Sequence, residues 1–180
     1  MSFTNPDANI GQLKLEDGMS VAVFGSGAGG HSFAASRALK GTGAVFAIDV
    51  RPEMLDKVKA DASNNGAFGV RPVLGNCERL GGTTLREEQV NAVVIPNTLF
   101  AYDDKQGVFA EAFRITKPGG KCMVVDWSSS FNNMGPPPDQ IVTQDAAKSL
   151  AETAGFVFEE SFPAGSQHYG LLFEKPQPLQ

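Results

Sequence analysis

The chain has 180 residues, of which 42% are hydrophobic and 19% charged, and a formal net charge of −5. This length and composition are typical of one folded globular domain, which we expect to span residues 1–180, and they argue against disorder. The acidic balance disfavours nucleic acid as the main partner, and no apolar run approaches the roughly 20 residues of a transmembrane helix.

Helices and strands alternate in the first half of the chain, and Pro or Gly residues bound the predicted helices. Pro72, inside the third predicted strand, favours a position at the edge of the sheet. The pattern predicts a brief helix over 6–13, a strand over 19–25, a helix over 30–40, a strand over 44–50, a helix over 52–65 and a strand over 70–74.

The second half continues the alternation and ends in two strands joined by a short link. That link implies a hairpin, and therefore one antiparallel strand. The pattern predicts a short helix over 83–89, a strand over 90–96 and a helix that is capped by Asp103 and runs to about 116. A turn over 117–120, a strand over 121–127 and a loop over 128–138 follow. The last predicted elements are a helix that starts at 139 or 143 and ends at 154, and strands over 156–162 and 168–174.

These elements together predict an α/β fold. We expect a Rossmann-like, doubly wound three-layer sandwich with helices on both faces of the sheet. Its seven-stranded sheet should be mostly parallel, with order 3-2-1-4-5 in the first five strands and an antiparallel last strand.

The stretch VAVFGSGAGG, residues 21–30, is typical of a strand, a glycine-rich loop and the start of a helix. Glycines allow the positive φ angles of a sharp turn and let a ligand approach the backbone. The helix start offers unpaired N–H groups to an anionic ligand. Asp49, at the end of the second strand, is placed to accept hydrogen bonds from ribose hydroxyls. The sequence therefore predicts a nucleoside-containing ligand at the carboxyl ends of the strands.

Several segments, covering nearly the whole chain, resemble a class I S-adenosylmethionine-dependent methyltransferase, most closely the small bacterial enzymes of the ubiquinone/menaquinone biosynthesis group. The segments are VAVFGSGAGG, AIDVRPEML, GNCERL, NAVVIPNTLF, EAFRITKPGGKCMVVDW and the closing hairpin. This resemblance implies an enzyme that binds S-adenosylmethionine and transfers its methyl group to a small molecule.

The resemblance also implies which residues bind the cofactor. Four loop residues would approach its methionine and ribose, and an acid would bind the ribose hydroxyls. One apolar residue would pack beside adenine, two residues would flank the adenine edge, and three would line the methyl-transfer side. In that order, the residues are Gly25, Ser26, Gly27 and Gly29; Asp49; Val50; Asn76 and Cys77; and Asn97, Thr98 and Leu99.

Two positions depart from the pattern of that family. The acid that usually stands two residues before the first loop glycine is Val23 here, and the usual Asp after strand three is Asn76. An Asn carbonyl still accepts a hydrogen bond. A carboxylate at position 23 would support the glycine loop and the cofactor's ammonium, and its loss removes a charge-assisted contact worth roughly 1.5–3 kcal/mol. A non-catalytic binding module of the same fold therefore stays open as an alternative.

A second alternative is an NAD(P)-dependent oxidoreductase. Gly25, Gly27 and Gly30 also fit the G-x-G-x-x-G pattern of a dinucleotide-binding loop, and Asp49 lies near the expected distance from it. The KPGG turn at residues 117–120 and the final hairpin disfavour this alternative.

Any catalytic base should lie at the edge formed by the carboxyl ends of the strands. Strand seven runs backwards, so its start joins the end of strand five at that edge. The candidate catalytic residues are therefore His168, which can titrate near neutral pH, and Asp126. His31 lies at the same edge but is more typical of a surface residue at a helix start.

The two cysteines, Cys77 and Cys122, lack the spacing of a disulfide framework, and no cluster of His, Cys and Asp has metal-binding spacing. We therefore expect reduced thiols in a cytoplasmic protein without a bound metal, of bacterial origin by its resemblance. The cofactor edge is rather open. Enclosure of the substrate is left to residues 1–18, to the loop 128–138 or to the second subunit of a homodimer.

Overall fold

A computed structural model describes residues 4–178 of the chain. Its helices are α1 (Pro6–Gly11), α2 (Gly30–Ala38), α3 (Pro52–Asn64), α4 (Lys105–Ile115) and α5 (Gln144–Ala154). Its strands are β1 (Ser20–Phe24), β2 (Ala44–Asp49), β3 (Val70–Leu74), β4 (Val90–Pro96), β5 (Thr116–Trp127), β6 (Val157–Gly165) and β7 (His168–Glu174).

The strands form a sheet in the order β3-β2-β1-β4-β5-β7-β6. Strands β1 to β5 pair in parallel with one another, whereas β7 runs antiparallel to both β5 and β6. The structure therefore confirms the mostly parallel seven-stranded sheet, its antiparallel last strand and the predicted order of the first five strands. The strand order reverses between β1 and β4, and such a switch point leaves a ligand-binding crevice at the carboxyl ends of the strands.

Helices cover both faces of the sheet, which confirms the three-layer sandwich. Alternate residues of β1 point to opposite faces. Val21 and Val23 pack in an apolar cluster with residues of α1 and α2, whereas Ala22 and Phe24 belong to a cluster that includes residues of α4 and α5. Helix α3 contributes Val58 to a smaller cluster with α2. Because both faces are covered, a ligand can reach the sheet only at the ends of its strands.

The prediction of a helix over residues 83–89 is wrong, because the chain forms turns there. Thr84 and Glu88 have positive φ angles of 63° and 52°, which do not occur inside an α-helix. The backbone N–H and the hydroxyl of Thr83 both donate to the Glu111 carboxylate on α4. This tertiary contact replaces the local hydrogen bonds that a helix would need.

The segment KPGG stops a helix as predicted but does not precede β5. Strand β5 already begins at Thr116, and residues 117–120 form an irregularity in its pairing with β4. Helix α4 is capped by Asp104 rather than Asp103, because the Asp104 side chain accepts the N–H of Gly107 at 2.8 Å. The other element ends agree with the prediction within a few residues.

A buried carboxylate fixes the loop between β3 and β4. Glu111 on α4 is fully buried, and its oxygens accept the N–H groups of Gly81 and Thr83. Arg114 donates to both oxygens at 2.7 Å. Burial alone would raise the pKa of Glu111, but the Arg114 guanidinium and the loop donors hold that pKa below its ordinary value. One ionised side chain therefore ties this loop to α4.

Glu111→Gln should destabilise the fold by about 3 kcal/mol. The amide keeps the shape of the carboxyl group, but it leaves the Arg114 guanidinium without its charge partner and turns an NH₂ group toward other donors. Urea unfolding of wild type and variant measures the change. Glu16→Gln, at an exposed carboxylate, is the matched control. A loss of stability no larger than that of the control would contradict the anchoring role of Glu111.

Candidate active site

A cavity of about 440 Å³ opens at the switch point, and we call it the β2 cavity. Its wall includes Gly25 after β1, Asp49 at the end of β2, Val50 just beyond it, Cys77 after β3 and Asn97 after β4. The crevice at the carboxyl ends of the strands therefore brings together residues from four loops that are far apart in the chain. All five are among the residues predicted to bind the cofactor.

Asp49 is 3% exposed and lies in the wall of the β2 cavity. Its Oδ2 accepts the N–H of Gly27 at 3.2 Å, which ties the glycine loop to the end of β2. Its Oδ1 accepts the backbone N–H and the Nε–H of Arg51 at 3.0 and 3.1 Å. Burial disfavours the charged form, yet the Arg51 side chain and these N–H groups hold the pKa of Asp49 below its ordinary value. The carboxylate is therefore ionised at neutral pH.

The glycine loop is packed too closely for side chains at two of its positions. Gly25 has a φ of +65°, and a Cβ atom there would lie 2.6 Å from Cγ2 of Thr98. Gly29 has a φ of +90°, and its Cβ atom would lie 2.7 Å from the Phe33 ring. Gly25 lines the β2 cavity, whereas Gly29 caps α2 and lies outside its wall. Glycine is therefore required at both positions, but only Gly25 faces the crevice.

A second cavity of about 390 Å³ adjoins the first at the start of α2, and we call it the α2 cavity. Its wall includes Pro6, Ser26 and His31, and it shares Arg51 and Asn97 with the β2 cavity. Ser26 Oγ and Asn97 Oδ1 are buried and have no hydrogen-bond partner among the described residues. Buried polar atoms are normally paired, so these two atoms are placed to bind a polar group of a ligand.

The remaining predicted binding residues, Asn76 and Leu99, lie outside both cavity walls. Asn76 turns its Oδ1 onto the N–H of Glu78 at 2.9 Å, which shapes the loop after β3. Leu99 is fully buried, and its polar contacts near the site are made by its backbone, whose N–H donates to Asp126 and whose carbonyl accepts the N–H of Tyr102. Burial raises the pKa of Cys77 to about 12, so this cavity-lining thiol stays protonated.

Asp126, predicted as catalytic, is 1% exposed and also lies outside both walls. Its carboxylate accepts the N–H of Leu99 at 2.8 Å and the N–H of Trp127 at 2.7 Å. These bonds tie the segment after β4 to the end of β5. Burial raises the pKa of Asp126 to about 6, against the opposing effect of the N–H donors.

The two histidines lie near each other at the same edge. The His168 ring packs against the Trp127 ring in a tilted arrangement, with 4.2 Å between ring centroids. His31 lines the α2 cavity, and its Nε2 lies 3.5 Å from the side-chain nitrogen of Asn9. Burial, and then the neighbouring His168, lower the pKa of His31 to about 4, so its ring is neutral at pH 7. The expectation that His31 is a surface residue is wrong, because the side chain is buried between the start of α2 and α1. Of the two histidines, His31 is the one in a cavity wall.

Sequence reasoning did not single out Arg51 and Tyr102, which line the cavities. Arg51 stands two residues after Asp49, and this spacing could have predicted that its side chain lies at the site. Thr98, which was predicted to line the methyl-transfer side, lies in the wall of both cavities. Tyr102 reaches the β2 cavity only because residues 99–101 form a 3₁₀ turn, which no local pattern indicated.

Two further properties concern the described part of the chain. Within residues 4–178, no helix combines the length and apolar character needed to cross a membrane. The same residues contain no group of three or more His, Cys, Asp or Glu side chains that could hold a metal ion.

Residues 23–124 match the family model described as a methyltransferase domain. The chain belongs to this family. It is 30% identical over 159 residues to the arsenite methyltransferase of Halobacterium salinarum, covering 83% of this chain and 40% of that protein. It is 30% identical over 148 residues to the ubiquinone/menaquinone biosynthesis C-methyltransferase of Haemophilus ducreyi, covering 82% and 55%. The chain thus spans about half the length of these relatives.

Among solved structures, a SAM-dependent methyltransferase from Aquifex aeolicus superposes with a TM-score of 0.85 at 22% identity, covering 96% of this chain and 90% of that one. This likeness agrees with the fold. The family match confirms the resemblance to class I S-adenosylmethionine-dependent methyltransferases and implies S-adenosylmethionine as the cofactor. It disfavours an NAD(P)-dependent oxidoreductase and a non-catalytic module.

Asp126→Asn tests the carboxylate that braces the edge of this methyltransferase domain. The folded-state pKa of about 6 exceeds the ordinary value of 3.8. This carboxyl group therefore contributes stability that is fully present below about pH 4 and is lost as the pH rises through about 6. Relative to the variant, the wild type should lose up to about 2 kcal/mol between pH 4 and pH 7.

Urea unfolding of both proteins at pH 4, 5, 6 and 7 measures this difference. Asp103→Asn, at an exposed carboxylate, is the matched control. A stability difference between wild type and Asp126→Asn that is constant over this range would contradict the buried, proton-binding state of Asp126.

Proposed function

We propose that this methyltransferase domain binds S-adenosylmethionine across the two cavities and transfers its methyl group to an organic small molecule. One observation carries the proposal. The ionised Asp49 carboxylate lies in the β2 cavity and is bound to the glycine loop through the Gly27 N–H. A carboxylate at the end of the second strand, beside a glycine loop, is the arrangement that accepts hydrogen bonds from a ribose diol.

The residues present fit both ends of that cofactor. In the β2 cavity, Val50 and the protonated Cys77 thiol give an apolar wall beside Asp49, which suits a base attached to a ribose. In the α2 cavity, the Ser26 hydroxyl and the Asn97 amide oxygen have no partner among the described residues. These groups suit the charged amino-acid end of the cofactor.

When bound, the cofactor supplies a methyl group on a positively charged sulfur, which is already a good leaving group. The protein has to orient the acceptor and, where the acceptor carries a proton, to remove it. We assign that proton transfer to His168, whose ring lies at this edge. The pKa of about 4 makes the His31 ring too weak a base to hold a proton at pH 7. Asp126 contributes by position, because its bonds to two N–H groups brace the segments that flank the acceptor.

An organic acceptor is favoured over arsenite, the acceptor in the name of the Halobacterium salinarum relative. Trivalent arsenic is a soft centre that binds thiolates. The sequence has two cysteines, and burial raises the pKa of Cys77 to about 12 and that of Cys122 further. Neither side chain therefore supplies a thiolate. The Haemophilus ducreyi relative, named for ubiquinone and menaquinone biosynthesis, is the better guide to the chemical class of acceptor.

We extend the proposal to the domain organisation and the cellular location of the protein. Residues 1–180 would act as a single domain, since the described strands belong to one sheet. A cytoplasmic location is supported by two cysteines that form no disulfide. A homodimer and a bacterial origin stay predictions.

Asp49→Asn should weaken the binding of S-adenosylmethionine and S-adenosylhomocysteine by about tenfold or more, because a charge-assisted acceptor for the ribose hydroxyls is lost. Isothermal titration of both ligands into wild type and variant measures the dissociation constants. Asp56→Asn, at an exposed carboxylate on α3, is the matched control and should bind like the wild type.

Two results would count against the proposed function. Wild-type protein that binds neither ligand would remove the cofactor assignment. Equal affinities of wild type and Asp49→Asn would show that the ribose is held elsewhere.

A further inference from the structure

The carboxylate assigned to the ribose is already fully used within the protein. Asp49 Oδ1 accepts the backbone N–H and Nε–H of Arg51, and Oδ2 accepts the Gly27 N–H and the Arg51 Nη2–H at 3.2 Å each. A carboxylate offers about four acceptor positions. Ribose hydroxyls can therefore bind Asp49 only after the Arg51 side chain has moved away.

Of the two side chains in this pair, Arg51 is the one free to move. Its side chain is 50% exposed, whereas that of Asp49 is 3% exposed. The Gly27 N–H and the Arg51 backbone N–H hold Asp49 in place without the guanidinium. Ribose hydroxyls would replace the bonds that the guanidinium gives up, so Asp49 keeps its partners while Arg51 loses its own.

The displaced guanidinium would bind an anionic group of a ligand in the α2 cavity. Arg51 lines both cavities, so its side chain already stands at their junction. It is the only Asp, Glu, Lys or Arg among the described residues in the α2 wall. The polar groups there include Ser26, Asn97 and the neutral ring of His31. A cavity with one cation and no acid attracts a carboxylate, which a guanidinium can bind through two N–H groups.

The apolar Val23 makes the contact between Arg51 and a ligand carboxylate more important. The position where the family usually carries an acid holds a side chain that is fully buried in the apolar cluster beside α1 and α2. No carboxylate from that position reaches the ammonium of an amino-acid ligand. Recognition of the amino-acid end therefore depends more on its carboxylate than on its ammonium.

We propose that Arg51 covers Asp49 in the ligand-free protein and binds the carboxylate of the cofactor's amino-acid end once ribose displaces it. The site thereby selects nucleosides that carry a carboxylate over plain nucleosides, which displace the guanidinium without giving it a new partner. This inference rests on the proposed function, since it assumes that the two cavities hold one adenosyl amino acid.

The test compares two ligands that differ only at the amino-acid end. S-adenosylhomocysteine carries the carboxylate, and 5′-methylthioadenosine has the same thioether-linked nucleoside without it. Isothermal titration gives the dissociation constants of both for wild type, Arg51→Gln and the matched control Arg86→Gln. Arg86 is exposed and lies outside both cavity walls. Thermal unfolding of each protein verifies that the variants are folded.

In Arg51→Gln, 5′-methylthioadenosine should bind about threefold tighter, because Asp49 is uncovered. S-adenosylhomocysteine should bind about tenfold weaker, because its carboxylate loses a charged partner. The preference for the carboxylate-bearing ligand should therefore fall by about thirtyfold. Arg86→Gln should keep the wild-type preference, which separates the role of Arg51 from a change in net charge.

Each contrary result has a distinct meaning. An unchanged or weaker affinity of Arg51→Gln for 5′-methylthioadenosine overturns the covering of Asp49. An unchanged affinity for S-adenosylhomocysteine overturns the carboxylate contact. In both cases wild-type binding of S-adenosylhomocysteine leaves the proposed function standing. Failure of wild type and variant to bind either nucleoside would overturn the proposed function and this inference together.

Discussion

Buried carboxylates that accept backbone N–H groups hold the binding edge of this domain in shape. Asp49 holds the glycine loop after β1, Glu111 holds the loop after β3, and Asp126 holds the segment after β4. Each carboxylate is almost completely buried, so an unpaired N–H or oxygen at these places would cost more free energy than at the surface. The loops around the switch point are therefore braced from the protein side before any ligand arrives.

The fold could be predicted where the signal was local. A β-branched run, a glycine loop and an alanine-rich segment specify strand, turn and helix over residues 21–30, and each depends on neighbours in the chain. The short link before β7 forces a hairpin, which reverses the last strand. Asp49 follows the same logic, because in the predicted strand order the end of the second parallel strand lies beside β1, next to the switch point.

What could not be predicted depends on contacts between distant segments. Residues 83–89 have an acceptable helix composition, but the Glu111 carboxylate on α4 takes the donors of Thr83. Sequence placed His31 and His168 at one edge but expected His31 to be a surface residue. In the structure His168 packs against Trp127, while His31 is buried and lines the α2 cavity. Likewise, the Arg51 side chain folds back onto Asp49, and only the structure shows that this acid is covered.

The valine at position 23 lacks two functions that an acid would have there. A carboxylate at that position would support the glycine loop and would attract the ammonium of a ligand. The first task is already carried out by Asp49, whose Oδ2 accepts the Gly27 N–H, and by the carbonyl of Ile48, which accepts the Ser26 N–H at 2.9 Å. The loop therefore keeps its conformation with an apolar residue at position 23.

The second task has no charged replacement among the described residues of the α2 wall, where the one formal charge is positive and Asn97 Oδ1 offers the ammonium only a neutral acceptor. At a site with this charge distribution, Asp49 binds the ribose of an adenosyl amino acid and Arg51 binds its carboxylate. The ion pair between these two side chains opens to admit the ligand. Replacing the acid of the family by valine thus leaves the shape of the glycine loop intact and shifts the electrostatic part of recognition from the ammonium to the carboxylate.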